Sequence, residues 1–468
     1  MRRTLIALLL LLTLGAQAAD AAPQRITRDA QRNVMLTIYN GNLGLVKDAR
    51  EARFAAGLGE VQFMDVAALI DPTTVHLRSL TDPAGLKILE QNYEYDLLTS
   101  QKLLEKYVGR TVRLYQGDGT FHDATLLSTQ GPVFEIGGQI HLGYTGRLVL
   151  PALPENLVAK PTLVWLTQSR SAAPQRVEAS YLTGGITWKA DYVLVLDATD
   201  RKSDLTGWVT IDNKSGATYR NAALKLVAGD VNRAGDGRRE GRVMEMAARA
   251  ASVADATREF KSEGFFEYHL YTLDGRTTVK DQQTKQLSLM AASGVPVTKH
   301  LIYWGAQDYY RNSYGVPISN QKVAVYLEIK NSKENRLGIP LPKGKIRVYK
   351  ADRSGSQQFI GEDWIDHTPK DERVKIKMGD AFDVVGERKQ TDFRKLAAHL
   401  WEVEWEISLR NHKQEAQTVT VIEPIPGDWQ VLSSTHRYEK IEAHTLRYEI
   451  PVPKDGAAKL VYRVRIRL

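Results

Sequence analysis

Thr187-Trp188-Lys189-Ala190-Asp191-Tyr192-Val193-Leu194-Val195-Leu196 is the stretch on which the fold turns. Successive side chains of a strand point to opposite faces, so Trp188, Ala190, Tyr192, Leu194 and Leu196 share an apolar face while Thr187, Lys189 and Asp191 begin the other. From Val193 onward both faces are apolar, which predicts full burial at Val193 and Val195. The same period of two recurs in Val323, Val325, Leu327 and Ile329 against Lys322, Glu328 and Lys330. It recurs again in Trp401, Val403, Trp405 and Ile407 against Glu402, Glu404 and Glu406. Polar turn clusters at Asn213 to Gly216 and Asp352 to Ser356 separate such runs. The pattern predicts a mainly β protein of antiparallel β-sandwich modules.

Two charged rows carry a more specific expectation. Arg463, Arg465 and Arg467 alternate with Tyr462, Val464, Ile466 and Leu468, as the glutamates at 402, 404 and 406 alternate with the tryptophan-rich row. Opposite charges directly across neighbouring strands stabilise each other, whereas three like charges in a row repel. The two strands are therefore expected side by side in one sheet, with the arginines facing the glutamates. The competing reading makes the arginine row a site for lipid or acidic glycan.

Outward from these strands, the N-terminus reads as a secretory leader. Arg2 and Arg3 precede an apolar run from Leu5 to Leu14, and Ala16-Gln17-Ala18 supplies the small residues of a cleavage site after Ala18. That run is shorter than the ~20 residues a transmembrane helix needs, so no transmembrane segment is expected in the mature, exported chain. The sequence has no cysteine, which leaves no residue for thiol catalysis, thiolate metal sites, lipobox anchoring or disulfides. Its formal charge of +8 becomes +6 without the leader, an excess read as solubility rather than as a nucleic-acid surface.

One helix interrupts the strands. Asp96 is placed to cap it, Leu97, Leu104 and Val108 form its stripe, and Gly109 is placed to end it. Five short runs follow, at Thr111 to Tyr115, Ala124 to Ser128, Val133 to Ile136, Gln139 to Leu142 and Arg147 to Leu150. A helix and five short strands have the size of a small SH3-like or Sm-like barrel, with a long β-meander as the alternative. Residues 231–260, with Gly235, Gly237 and Gly241 and then an Ala- and Met-rich stretch, read as a mobile loop before strands resume at Phe265 and Phe266. The expected division is a leader at 1–18, a β module at 19–95, the helix-plus-barrel insertion at 96–155, a sandwich at 156–315 and a second sandwich at 316–468.

No catalytic, cofactor-binding or metal-ligating residue emerges, and no cofactor is expected. The ten histidines are scattered with neither H-E-x-x-H nor H-x-H spacing, G-x-S-x-G is missing, and Gly235-Asp236-Gly237 lacks the strand and helix of a dinucleotide site. Glu362, Asp363, Asp366, Asp371 and Glu372 gather around Trp364 and His367, a composition a sugar subsite would use, in a setting that reads as an exposed loop. Lys343, Lys345, Arg347, Lys350 and Arg353 read as a solvated basic strand face, or as a weak anion patch.

Longer phrases carry a resemblance. Tyr39-Asn40-Gly41-Asn42-Leu43-Gly44-Leu45-Val46, Trp188 to Tyr192, Gly207 to Gly216 with Leu226 to Asp230, Leu341-Pro342-Lys343-Gly344 before Arg347-Val348-Tyr349, and Asn411-His412-Lys413 resemble the bacterial family called domain of unknown function 4139. The resemblance implies an envelope-facing protein of mainly β structure, distantly similar to mucoidy inhibitor A-like proteins, and it brings no catalytic residues. The Trp208 to Gly216 phrase has its own structural reading: a strand ends in a turn held by Asn213 and Ser215 side chains, and a hairpin partner restarts at Tyr219, Ala222, Leu224 and Leu226. The expected role is that of an exported envelope protein whose sandwiches bind another protein or a glycan without catalysis. The alternative is an envelope glycan hydrolase with dispersed carboxylates.

Overall fold

The computed structural model describes residues 23–94, 99–144, 146–152, 160–229, 231–232, 260–314 and 322–468. The expected leader at 1–18, the expected cap Asp96 with Leu97, and positions 233–259 of the expected mobile loop lie outside the described residues. Strands dominate what is described, with a single α-helix, Ser100–Tyr107. No described helix is long and apolar enough to cross a membrane.

A central sandwich forms because alternating strands can bury their apolar faces only against another layer. An eight-stranded sheet, which includes Gln31–Tyr39, Leu43–Ala52, Gln175–Thr183 and Tyr219–Ala228, contributes Leu36, Ile38, Val46, Val177, Ala179 and Leu224 to the core. The opposing five-stranded sheet runs in the order Gln283–Pro296, Lys202–Asn213, Ile186–Leu196, Gly344–Ala351, Gln357–Ile365. Its inner face supplies Trp188, Tyr192, Leu194, Val209, Ile211, Ile346 and Val348 to the same core. Val193 and Val195, expected to be fully buried, are only half-buried, because this sheet has a layer on one side alone.

The phrase ending at Gly216 is a crossover and not a hairpin. Lys202–Asn213 pairs within the five-stranded sheet, while Tyr219–Ala228 pairs with strands of the eight-stranded one, in parallel with Gln31–Tyr39. The side chains at the turn act as expected. Asn213 Nδ2 donates to Ala217 O and Lys280 O, both at 2.9 Å, and Asn213 Oδ1 accepts from Ser215 N and Oγ. These bonds carry the chain over the rim from one layer to the other.

The same device closes two further strands. Asn331 Nδ2 donates to Ile339 O and Pro369 O, and Asn411 Nδ2 donates to Glu415 O and Pro453 O. All three asparagines are fully buried, each at or just beyond a strand end. A buried amide that satisfies carbonyls of neighbouring loops fixes those loops where no ladder reaches.

The helix-plus-strands insertion has a small core of its own, built on Tyr107, Val112, Leu114, Leu126 and Phe134. Thr99 caps the helix by accepting from Lys102 N at 3.1 Å, and Gly109 ends it at φ +78. Tyr107 is its buried residue, whereas Val108 of the expected stripe is exposed. All five predicted strands form. They make an antiparallel sheet whose end strands, Gln139–Leu142 and Arg147–Val149, do not pair with each other among the described residues, so pairing does not close a barrel.

A nine-stranded sheet completes the chain and folds around a second core of Tyr303, Trp405, Val421, Tyr448, Tyr462 and Val464. Its longest strand, Arg373–Ala397, gives Val374 and Ile376 to the central core and Val384 to this one. Leu400–Asn411 and Gly456–Arg467 are neighbours in register, with Glu402 opposite Arg465 and Glu404 opposite Arg463. Arg465 Nη2 lies 2.6 Å from Glu402, and Arg463 lies 3.1 Å from Glu404 and 2.8 Å from Asp392. The strands are therefore adjacent and two of the three expected pairs form; the third does not, because the register sets Arg467 opposite Leu400, and Glu406 pairs with Lys459 instead.

Candidate functional site

The outer side of the central five-stranded sheet carries a continuous row of polar contacts. Alternation that sends Trp188, Ala190 and Tyr192 inward sends Lys189 and Asp191 outward, and the register aligns the outward residues of neighbouring strands. Gln286 Nε2 donates to Thr210 Oγ1 at 3.2 Å, and Thr210 Oγ1 donates to Asp191 Oδ2 at 2.7 Å. Arg347 Nη1 stands 3.5 Å from Asp191 Oδ1 and Arg347 Nε 3.3 Å from Glu362 Oε2. Lys345 Nζ closes the series at 2.7 Å from Glu362 Oε1. One row of contacts thus crosses all five strands.

Aromatic rings flank the charged part of the row. Lys345 pairs in register with Trp364, Arg347 with Glu362 and Tyr349 with Phe359. Lys345 Nζ sits 5.4 Å from the Trp364 ring centroid, within cation–π range, and Tyr349 meets Phe359 edge to face at 5.7 Å. Lys345 and Tyr349 stand four residue steps apart along the strand, about 13 Å at the rise of an extended chain. Trp364 is 64% exposed and Phe359 54%. The Arg373–Ala397 strand meets the inner side of Gln357–Ile365, where Lys377 N donates to Asp363 Oδ2 at 2.6 Å and Met378 abuts Gly361, so the outer side keeps its exposure.

Charge within the row is balanced, with Lys189 exposed beside it on the same face. Asp191 and Glu362 are matched by Lys345 and Arg347, and the hydrogen bond from Lys345 holds the Glu362 carboxyl below its ordinary range. Such a carboxylate stays ionised and accepts hydrogen bonds rather than donating a proton. The acidic cluster read from the sequence is thereby divided. Glu362 and Trp364 lie on the outer face of a strand and not in a loop, and Asp363 binds backbone. His367 Nδ1 accepts from Lys343 N, and Asp371 donates its backbone N–H to Asn331 O. Of the basic run, Lys345 and Arg347 enter the row, while Lys350 pairs with Asp200.

Two buried arginines lie elsewhere. Arg50 donates to Asp48 Oδ2 through Nε and Nη2, and through Nη1 to Ile26 O and Met64 O, with its guanidinium 3.8 Å from the Phe63 ring centroid. Arg388 stacks on Trp405 at 3.4 Å and donates through Nη2 to Glu423 Oε2 at 2.8 Å and Tyr310 at 2.9 Å. Tyr462 also donates to Glu423 Oε2, at 2.6 Å. Periodicity gave no sign of either centre, because each arginine occupies an inward position that the pattern reserves for apolar residues.

A hydrolase would bring two carboxylates to one cavity. Asp48 and Asp65 do line one with Arg28, Tyr181 and Tyr219, but its volume of about 10 Å³ holds a single water, and both acids are engaged, by Arg50 and Lys160. Among the described residues no His, Asp and Glu cluster has the makings of a metal site.

No match is found among the curated proteins compared. Residues 177–468, more than half of the sequence and the part that carries the aromatic row, the Asn213 and Asn411 turns and the two Glu–Arg pairs, match the model described as Domain of unknown function (DUF4139), and the chain belongs to that family.

Proposed function

We propose that this chain is an exported, periplasmic protein of the cell envelope that binds a partner without transforming it, and that the outer face of the central five-stranded sheet is the binding surface. The observation that carries this reading is the row from Gln286 to Trp364. Five strands align donors, acceptors and exposed rings on a rigid support, and Lys345 holds the Glu362 carboxyl ionised. Rigid sheet positions present contact groups more reproducibly than loops do. The leader at residues 1–18 supports the location.

Two measurements test the reading. Intact-mass analysis of envelope material is expected to give a mature chain that begins at Ala19 or within a few residues of it, and a chain that retains Met1 would refute export. Crosslinking in the envelope through a photoreactive residue at position 364 is expected to yield a discrete adduct. The same probe at an exposed position remote from the row, such as Lys440, is expected to yield none.

A further inference from the structure

We infer that the ligand of this face is an uncharged saccharide chain laid along the paired strands Gly344–Ala351 and Gln357–Ile365; the inference rests on the binding role proposed above. Three features point to that chemistry. First, the formal charges of the row cancel among Lys345, Arg347, Glu362 and Asp191, so the row itself offers a strongly ionic partner no excess charge of either sign. Ion pairs at a partly exposed surface still offer unfilled lone pairs and N–H groups. A hydroxyl, which both donates and accepts, matches such mixed groups better than a carboxylate or an ammonium does.

Second, Trp364 presents most of its surface to solvent at one end, and the Tyr349–Phe359 pair stands at the other. The electron-rich face of an aromatic ring attracts the C–H face of a pyranose, which carries partial positive charge. A separation of about 13 Å between the two aromatic ends exceeds what one monosaccharide spans, so the site fits an oligosaccharide with its middle unit over Arg347 and Glu362. Third, the strand pair is pinned beneath by Ile346 and Val348 in the core, so the rings and charges keep their spacing. A ligand with many hydroxyls gains most from groups that need no reordering.

Native electrophoresis of the purified protein through gels cast with a neutral β-glucan, a neutral galactomannan or polygalacturonate tests the inference. Retardation in a neutral gel is expected. Trp364→Ala and Phe359→Ala are each expected to weaken it about tenfold or more with an unchanged thermal midpoint, since both side chains are exposed and neither fills the core. Retardation by polygalacturonate alone, lost in salt and indifferent to Trp364→Ala, would overturn the saccharide assignment in favour of charge. Neutral retardation untouched by both substitutions would overturn the placement of the site. If no gel retards the protein while position 364 crosslinks to an envelope protein, the saccharide inference falls and the binding role survives. If neither occurs, both fall.

Discussion

Arg388 and Glu423 show how much one pair of side chains can carry inside a β core. Both are fully buried, and burial by itself would lower the Arg388 pKa; Glu423 and the tyrosines around it outweigh that and raise it. Removing one partner leaves an uncompensated charge, so Arg388→Met is expected to destabilise the protein by about 3–5 kcal/mol. Arg388→Met combined with Glu423→Leu is expected to recover much of that loss in urea unfolding. Asp200 gives a pH-dependent case. Burial would raise its carboxyl, but the hydrogen bonds from Lys299 and Lys350 prevail and hold it below the ordinary 3.8. A carboxyl depressed by folding contributes stability above its unfolded value and loses it as pH falls through the folded one. Asp200→Asn is therefore expected to lower the thermal midpoint at pH 7, and the gap to the parent protein is expected to narrow as pH drops below 3.8. A gap that stays constant from neutral to acid pH would show that the lysines do not act through the charge.

At the scale of the element, strands here are specified by what lies on both of their faces. The Leu400–Asn411 and Gly456–Arg467 strands bury Trp405, Ile407, Tyr462 and Val464 on one side and pair glutamate with arginine on the other. A slip of one residue would invert both faces, so the apolar and ionic patterns select the same register. A double-mutant cycle with Glu402→Gln and Arg465→Gln is expected to give a coupling of about 0.2–1 kcal/mol that declines as sodium chloride is raised. Strand ends depend on a different device. Asn411→Ala would leave the carbonyls of Glu415 and Pro453 without that donor, and a loss of about 1–3 kcal/mol is expected in chemical denaturation.

Across the whole molecule, cores and sequence intervals do not coincide. The central core draws on residues from Ile26 to Ile376, and the Arg373–Ala397 strand belongs to both large cores. The matched family region starts at residue 177, within the Gln175–Thr183 strand, and leaves out Gln31–Tyr39 and Leu43–Ala52. A fragment of residues 177–468 would expose the inner faces of Trp188 and Tyr192 where Leu36, Ile38 and Val46 now cover that core. Such a fragment is expected to bind a hydrophobic dye and to elute as aggregate, whereas the full chain elutes as a discrete species; a cooperative, monomeric fragment would contradict this.

Much of this architecture was legible in the order of residues. Alternation at 186–196, 322–330 and 400–411 determined strands and their buried faces, because side-chain direction in a strand is a local property. The five short strands after the helix, the Asn213 turn and the facing pairs at 402–404 and 463–465 were legible for the same reason: each depends on nearby spacing or on direct charge pairing. Only the tertiary structure decided that the chain crosses between layers at Gly216, since a ladder accepts any strand and burial selects the partner. It alone placed Arg50 and Arg388 inside, where specific carboxylates and ring faces offset the loss of water. It also assembled the row from Gln286 to Trp364, whose members lie far apart in sequence and become neighbours because five strands share one register.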